Sequence, residues 1–498
     1  MREAIRAEKG VFDVLVIGGG ATGLGCAYEA VWRGLDVALV DQGDFASGTS
    51  SRSTKLFHGG VRYLRGGHVQ LVAQSLRERG NARRQARDLV RDTAFLVPAY
   101  RAGERFYYSS GLRLYDLLAR GSHDGPPRSR TVSRLEALQL APTLNPDGLR
   151  GGVVYYDDQF DDARYALELA RAAAANRARL LNYASVTDLL VEDGRIAGAR
   201  IHDHIYDDVF EVRARAVINA AGVHADEVRR LHDRAAWPLL RMSRGAHIVL
   251  ERTFLPGDTA ILVPRTDDRR VVFVIPWRGR VLVGTTETAV DSPEAEPLAT
   301  PADVDYLLEH AARYLSPAPS RSDVRSAFAG LRPLPDARGR TANLRRDHRV
   351  EVKDGMVTIY GGKWTTYRLM ARDAVKAAIH AGKLSPPTPR PVAVELGAPP
   401  ASNARLETHI ISGVTLDAED EREIERIVRD EMAMTVADIL ARRTRALFLD
   451  ARRSADAAPA VATVAARVLG RDSTWAEQQV DSFSKLAAGY LPGGVRNA

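Results

Sequence analysis

The chain has 498 residues, is 45% hydrophobic and 27% charged, and carries a formal net charge of +7. Such a length suggests two or three domains, and the composition is that of a globular protein with ample apolar material for a core, which excludes a disordered or fibrous chain. Cys26 is the single cysteine. An intrachain disulfide is therefore excluded, and without an apolar run of about 18 residues no membrane-crossing helix is expected.

In chain order, "MREAIRAEKG" carries charges of both signs, and the apolar stretch behind it is short and ends in glycines. This predicts a buried strand rather than a signal peptide. "VFDVLVIGGGATGLGCAYEAVWRGLDVALVDQGD" then has the order strand, glycine turn, helix, strand. Val11, Val14, Val16 and Ile17 suit a strand of a parallel sheet, apolar on both faces. Gly18, Gly20 and Gly23 stand at G-x-G-x-x-G spacing: the first for a tight turn, the second for close approach to a pyrophosphate, the third for close helix packing. The helix should run to Arg33 and be capped by Gly34, and its free N-terminal N–H groups suit phosphate. Asp41, at the end of the second strand, is placed to accept from a ribose hydroxyl. The complete unit predicts a dinucleotide site. A carboxylate there argues against a 2′-phosphate but does not separate FAD from NAD. The sequence has no second G-x-G-x-x-G and no redox cysteine pair. A bound FAD would thus take electrons directly from an organic substrate.

The stretch from Arg77 to Arg134 holds 13 Arg and no Lys against 6 Asp or Glu, a surplus of seven that equals the whole net charge. Helices are expected in "HVQLVAQSLRERGNARRQARDLV" and in "RFYYSSGLRLYDLLARG", where Leu114, Leu117 and Leu118 form an apolar side. "GGVVYYDDQF" reads as a strand leading into an Ala-rich helix. His202 and His204 could share one face of a strand, but with no Cys or third His nearby they read as part of a solvated turn, and no metal site is expected. "ARAVINAAGVHADEV" is a buried strand running into a small-residue turn at Ala220, Ala221 and Gly222. Residues 237–290 alternate as an antiparallel sheet, "MVTIYGGKWTTYRLMARDAVKAAI" repeats strand, turn and helix, and the periodicity after residue 400 is helical, with Ile424, Ile427 and Val428, then Val436, Ile439 and Leu440, then Val461, Val464, Ala465 and Val468 on common faces.

Four motifs place cations beside small residues: "KLFHGGVRYL", "RGAHIVL", "FAGLRPLPDARGRTANLRRDHRVEV" and "YGGKWTTYR". Together with "GGGATGLG", "DFASGTSSRSTKLFHGGVRYL", "VFVIPWRGRVLVGTTE" and "DILARRTRALFLDAR", they make almost the whole chain resemble the FAD-dependent, quinone-linked glycerol-3-phosphate dehydrogenases of the D-amino-acid-oxidase-like class. The related soluble oxidases usually carry an extra insertion that is not seen here.

The resemblance implies an α/β fold: a Rossmann-like FAD-binding domain (1–85, 151–235 and 326–395), an inserted antiparallel-sheet substrate domain (86–150 and 236–325) and a C-terminal helical domain (396–498). It implies oxidation of sn-glycerol 3-phosphate to dihydroxyacetone phosphate by hydride transfer to FAD, with a quinone as acceptor. Substrate binding maps to Arg62, Tyr63, Arg332, Arg346 and Lys363, although His348 stands where the pattern has Tyr. His58 and His247 are the candidate bases, and Arg332 is an alternative stabiliser of the alkoxide. Cofactor contacts map to Gly18, Gly20, Thr22, Gly23, Asp41, Thr49, Ser50, Ser51, Lys55, Leu56, Gly59, Ala221, Gly222, Gly362, Lys363, Trp364 and Thr365. The helix after Gly361 and Gly362 would turn its positive end toward reduced flavin. Peripheral attachment to the inner face of the cytoplasmic membrane is expected through the basic segment, with Phe106, Tyr107 and Tyr108 entering the interface, and a homodimer is possible. Two alternatives stand beside this reading. An FAD-dependent amine, amino-acid or 2-hydroxyacid oxidoreductase would need only one or two cations for a carboxylate. An RNA-binding flavoprotein is disfavoured because no aromatic RNA platform is visible, and no nucleic-acid partner is expected.

Overall fold

The computed structural model describes residues 5, 10–119, 127–268, 270–335, 348–385, 396–397 and 400–493, apart from the side chains of Arg62 and Arg65. Two sheets organise the mixed α/β chain. In the first, strand Phe12–Ile17 lies between Val37–Val40 and Asp208–Asn219, all parallel. Arg179–Leu181 extends one side in parallel and Met356–Gly361 the other, with His348–Lys353 antiparallel on the edge. Val14, Leu15 and Val16 are wholly buried, as a central strand covered on both faces requires. Val11, expected in this strand, precedes it and is exposed. Helix Ala21–Trp32 follows the first strand, and Arg33 and Gly34 end it, with Gly34 at φ +82°. Helices Asp162–Ala175 and Tyr367–Ala381 pack against it. That contact needs Gly25, where a Cβ would lie 3.0 Å from the Tyr367 ring.

The second sheet has ten strands. Leu240–Glu251 pairs antiparallel with both Arg280–Gly284 and Val324–Pro335. Gly152–Phe160, placed with the nucleotide-binding part by the boundary at 151, is a strand of this second sheet. It pairs along its full length with Val90–Pro98, and Gln159 and Asp158 pair with Leu56 and Phe57. Its alternation thus builds the substrate side, and only the helix after it returns to the first sheet. His202 lies on strand Arg195–Asp203 and not in a turn, bonded to Asp207 at 2.8 Å, while His204 falls in the turn that follows, bonded to Ser185 at 2.9 Å.

Helices Ala401–Ser412, Ala418–Asp430, Ala451–Leu469 and Ser473–Gly489 form the C-terminal part. Where Val436, Ile439 and Leu440 predicted an ordinary helix, residues Asp438–Arg443 form a π-turn, closed by the Thr444 N–H donating to the Ile439 carbonyl at 2.9 Å. The wider turn lets the consecutive side chains of Arg442 and Arg443 converge on one carboxylate, that of Asp44.

In the basic segment, Arg79 is buried on Asp157 at 2.6 Å, Arg83 bridges Asp92 and Asp158, and Arg130 pairs with Glu136. These three of the segment's 13 arginines are thus paired with carboxylates. Helix Glu104–Ala119 differs: it exposes Phe106 at 80%, Tyr107 at 61% and Leu117 at 54%, with Leu114, Arg105 and Arg113 also exposed. No helix among the described residues is long and apolar enough to cross a membrane.

Candidate active site

A cavity of about 750 Å³ lies between the two sheets and is lined by residues of both. At one end, Gly18 turns at φ +108°, and a Cβ there would stand 2.6 Å from the Ala220 carbonyl oxygen. At Gly23 a Cβ would stand 1.8 Å from the Gly18 oxygen, so that glycine is required for the turn itself and does not line the cavity. Gly20, Thr22, Ala221 and Gly222 do line it. The N-cap residue of the helix beginning at Ala21 is Gly20, which has no side chain to cap it, and the helix's positive end borders the cavity. Ser50 Oγ accepts from the Ala21 N–H at 2.9 Å.

Asp41 borders the cavity directly after its strand. Its carboxylate accepts from the Gly43 N–H at 2.8 Å and from the Gly19 N–H. Burial pushes its pKa up to about 6, against these two backbone donors. A turn that any Cβ would fill, a helix N-terminus at the cavity, a carboxylate at the end of the second strand and this volume together fit an elongated dinucleotide such as FAD.

The other end brings together the cation-bearing motifs. On strand Leu240–Glu251, Gly245 and His247 lie opposite Gly330 and Phe328, and Arg332 is two residues beyond Gly330. Strand period two puts this set on one face. Arg332 donates to Thr285 Oγ1 at 2.9 Å and to the Thr286 carbonyl at 3.2 Å. A Cβ on Gly245 would lie 2.3 Å from its guanidinium, so Gly245 makes the space Arg332 occupies. His247 stacks on Phe328 at 5.0 Å, and its Nε2 lies 3.0 Å from Thr54 Oγ1. Burial, then Lys55 and Arg332, hold its pKa well below the ordinary 6.5, so the imidazole is neutral.

Three hydrogen bonds tie the remaining loops in. Thr49 Oγ1 donates to the Leu331 carbonyl at 2.6 Å, Trp364 Nε1 to the Ser50 carbonyl at 2.9 Å, and Thr365 Oγ1 to the His58 carbonyl at 3.3 Å. Leu56, His58, Tyr63, Gly362 and Lys363 line the cavity as well, and the Lys363 ammonium sits 5.6 Å from the Tyr63 ring centroid. The turn Trp364–Thr366 leads into helix Tyr367–Ala381.

Some expected positions have other duties. Lys55 does not line the cavity: its ammonium is buried, 2.7 Å from Asp162 and 2.8 Å from the Ser51 carbonyl. Burial pulls its pKa down to about 7, with Arg445 adding to that and Asp162 opposing it. Ser51 is buried in the same group and accepts from Arg445 as well, at 2.8 Å. Gly59 faces inward, where a Cβ would lie 2.5 Å from Tyr115 Oη, and its N–H donates to that oxygen at 2.7 Å. Arg346 lies outside the described residues, and for Arg62 only the backbone is described. Thr54, Thr285, Thr286, Tyr155 and Asp157 line the cavity without having been singled out. Thr285 and Thr286 stood in the quoted "VGTTE", and their hydroxyls beside a glycine were the available signal. Tyr155 and Asp157 gave none, since they occupy ordinary alternate strand positions.

Residues 13–375 match the FAD dependent oxidoreductase family, and residues 415–478 match the C-terminal domain of alpha-glycerophosphate oxidase. The chain is similar to the mitochondrial glycerol-3-phosphate dehydrogenase of Rattus norvegicus, with 36% identity over 96% of this chain and 73% of that protein. It is 44% identical to a mitochondrial glycerol-3-phosphate dehydrogenase of Arabidopsis thaliana over 75% of this chain and 62% of the relative. Among solved structures, the glycerol-3-phosphate dehydrogenase of Bacillus halodurans, complexed with FAD, superposes with a TM-score of 0.78 at 27% identity, covering 98% of this chain and 96% of that one.

Proposed function

The chain belongs to the FAD dependent oxidoreductase family, among its glycerol-3-phosphate dehydrogenases, and on that premise we propose that it oxidises sn-glycerol 3-phosphate to dihydroxyacetone phosphate and passes the electrons to a quinone. The observation that supports the substrate is that Arg332 and Lys363 both line the cavity that neutral His247 borders. A phosphate dianion needs several fixed donors, and a carboxylate needs fewer. Arg332, oriented by Thr285 and Thr286, offers a planar fork. Arg62 and Arg346 stand in the matching motifs and would add to it. The substrate test is the phosphate itself: kcat/KM for glycerol should fall below that for glycerol 3-phosphate by about a thousandfold or more, as loss of charge-assisted hydrogen bonds implies, and near-equal values would contradict the cradle.

Bound FAD supplies the acceptor for the hydrogen and electron pair that leave C2. In this reading the C2 hydroxyl proton goes to the His247 imidazole, which its environment keeps unprotonated and ready to accept. Thr54 bonds Nε2 and so fixes the ring's orientation. Because the pKa of His247 is depressed, its base form persists at pH values where a free histidine would be protonated. The rate of flavin reduction by substrate should therefore show no acid limb centred at about 6.5, the ordinary histidine value, and a limb there would exclude His247 from the role.

The membrane face is proposed on helix Glu104–Ala119, where Phe106, Tyr107, Leu114 and Leu117 are exposed alongside Arg105 and Arg113. Exposed aromatics bordered by arginines suit an anionic interface, from which a lipid-soluble quinone is supplied. Co-sedimentation with anionic vesicles at low salt should fall about tenfold for the pair Phe106→Ser and Tyr107→Ser. Unchanged sedimentation would remove this helix from the account.

A further inference from the structure

The C-terminal helical domain lies far along the chain from the glycine turn, yet it grips the loop that follows Asp41. Asp44 is 1% exposed, and its carboxylate accepts from Arg442 Nε, from Arg443 Nη1 and, at 2.9 Å, from Arg443 Nη2. Burial would raise the pKa of Asp44, but Arg443 and Arg442 outweigh it and hold the group below the usual range. Both arginines are anchored within their own domain. Arg442 also bonds Asp438, and Arg443 donates to the Glu431 carbonyl at 2.6 Å. Two further links run parallel: Tyr183 Oη donates to Asp438 at 2.6 Å, and Asn182 Nδ2 donates to the Met432 carbonyl at 2.9 Å.

The gripped loop is itself fastened to the nucleotide turn. The Ala46 N–H donates to the Gly19 carbonyl at 2.9 Å, the Gly19 N–H donates to Asp41, and the Tyr183 N–H donates to the Gly43 carbonyl at 2.9 Å. Arg442 itself borders the cavity. A continuous set of hydrogen bonds thus runs from the π-turn Asp438–Arg443 through Asp44 to the glycine turn and Asp41.

We infer that the C-terminal domain is a cofactor-retention element: Arg442 and Arg443, by holding Asp44, fix the loop that binds the adenosine end of FAD. Arg443 is a positioning residue that acts through Asp44. The inference rests on the placement of the ribose at Asp41.

The test is the rate of FAD release from holoenzyme, followed by recovery of FAD fluorescence after dilution. Arg443→Gln leaves the buried Asp44 carboxylate with one guanidinium fewer, and release should accelerate about tenfold or more. With excess FAD the KM for glycerol 3-phosphate should stay within about twofold of wild type, because substrate binds at the other end of the cavity. Arg443→Lys, which keeps the charge in a compact ammonium but loses the planar fork, should recover much of the slow release. Should Arg443→Gln fail to fold, Tyr183→Phe removes one hydrogen bond to Asp438 and should speed release about threefold. Asp41→Asn separates the two claims. If it speeds release while the Arg443 and Tyr183 variants do not, the retention role is overturned. If it leaves release unchanged, the ribose placement falls, and the inference with it.

Discussion

Arg332→Ala is expected to keep its FAD and to lose about a thousandfold or more in kcat/KM for glycerol 3-phosphate, equivalent to about 4 kcal/mol of transition-state stabilisation. The size follows from the site. Arg332 is fixed by Thr285 and Thr286, in space left by Gly245, on the face shared with His247. Removing it deletes a preorganised bidentate cation and leaves a void that water fills without matching geometry. FAD should remain because the glycine turn and Asp41 are at the other end of the cavity, built from the first sheet. Gly245→Ala tests the same point from the backbone side: its methyl would collide with the guanidinium, so it should mimic the loss while every charge stays present. Steady-state kinetics and the flavin spectrum decide the matter. A kcat/KM within about threefold of wild type would remove Arg332 from the substrate site.

Asp162→Ala should be strongly destabilising, lowering stability by about 3–5 kcal/mol. Asp162 is wholly buried and is met by Lys55 at 2.7 Å, Arg445 at 3.1 Å, the Ser53 N–H at 3.0 Å and the Ser53 hydroxyl at 2.7 Å. Without it, among the described residues, Arg445 keeps only the carboxylate of Asp161, at 3.6 Å, and Lys55, already pulled down by burial, loses the carboxylate that favours its charged form, so both groups stay buried without their main partner. Asp162→Asn keeps hydrogen-bonding capacity toward Ser53 and should cost less. Thermal denaturation of the holoenzyme is the measurement, and a midpoint for Asp162→Ala equal to wild type would contradict the role given to this group.

The first sheet was legible because its signals are local. The apolar strand, the glycine spacing, Gly34 and Asp41 all lie between Phe12 and Asp41, and each stands in the structure where a short-range rule puts it. The antiparallel pairing of residues 237–290 was legible from period-two alternation. The membership of Gly152–Phe160 was not, because a strand's pattern states which face is buried and not which sheet it joins; the partner strand Val90–Pro98 decides that. The four cationic motifs were recognisable as a set, and the hydrogen bonds from Thr49, Trp364 and Thr365 show how chain segments about 300 residues apart meet. Lys55 maps to a cofactor contact through the resemblance, and the structure turns its ammonium to Asp162 instead. Its partner Asp162 is separated by 107 residues, and nothing local marks the pair. The same holds for Asp44 with Arg442 and Arg443, about 400 residues apart in the chain, where a π-turn directs both arginines inward.

The most direct test is anaerobic mixing of the oxidised holoenzyme with candidate reductants while the flavin absorbance is followed. The account predicts rapid and complete bleaching by glycerol 3-phosphate, re-oxidation on adding a soluble quinone, and no bleaching by amino acids or 2-hydroxy acids at the same concentration. Bleaching by an amino acid or a hydroxy acid, with glycerol 3-phosphate inert, would contradict it.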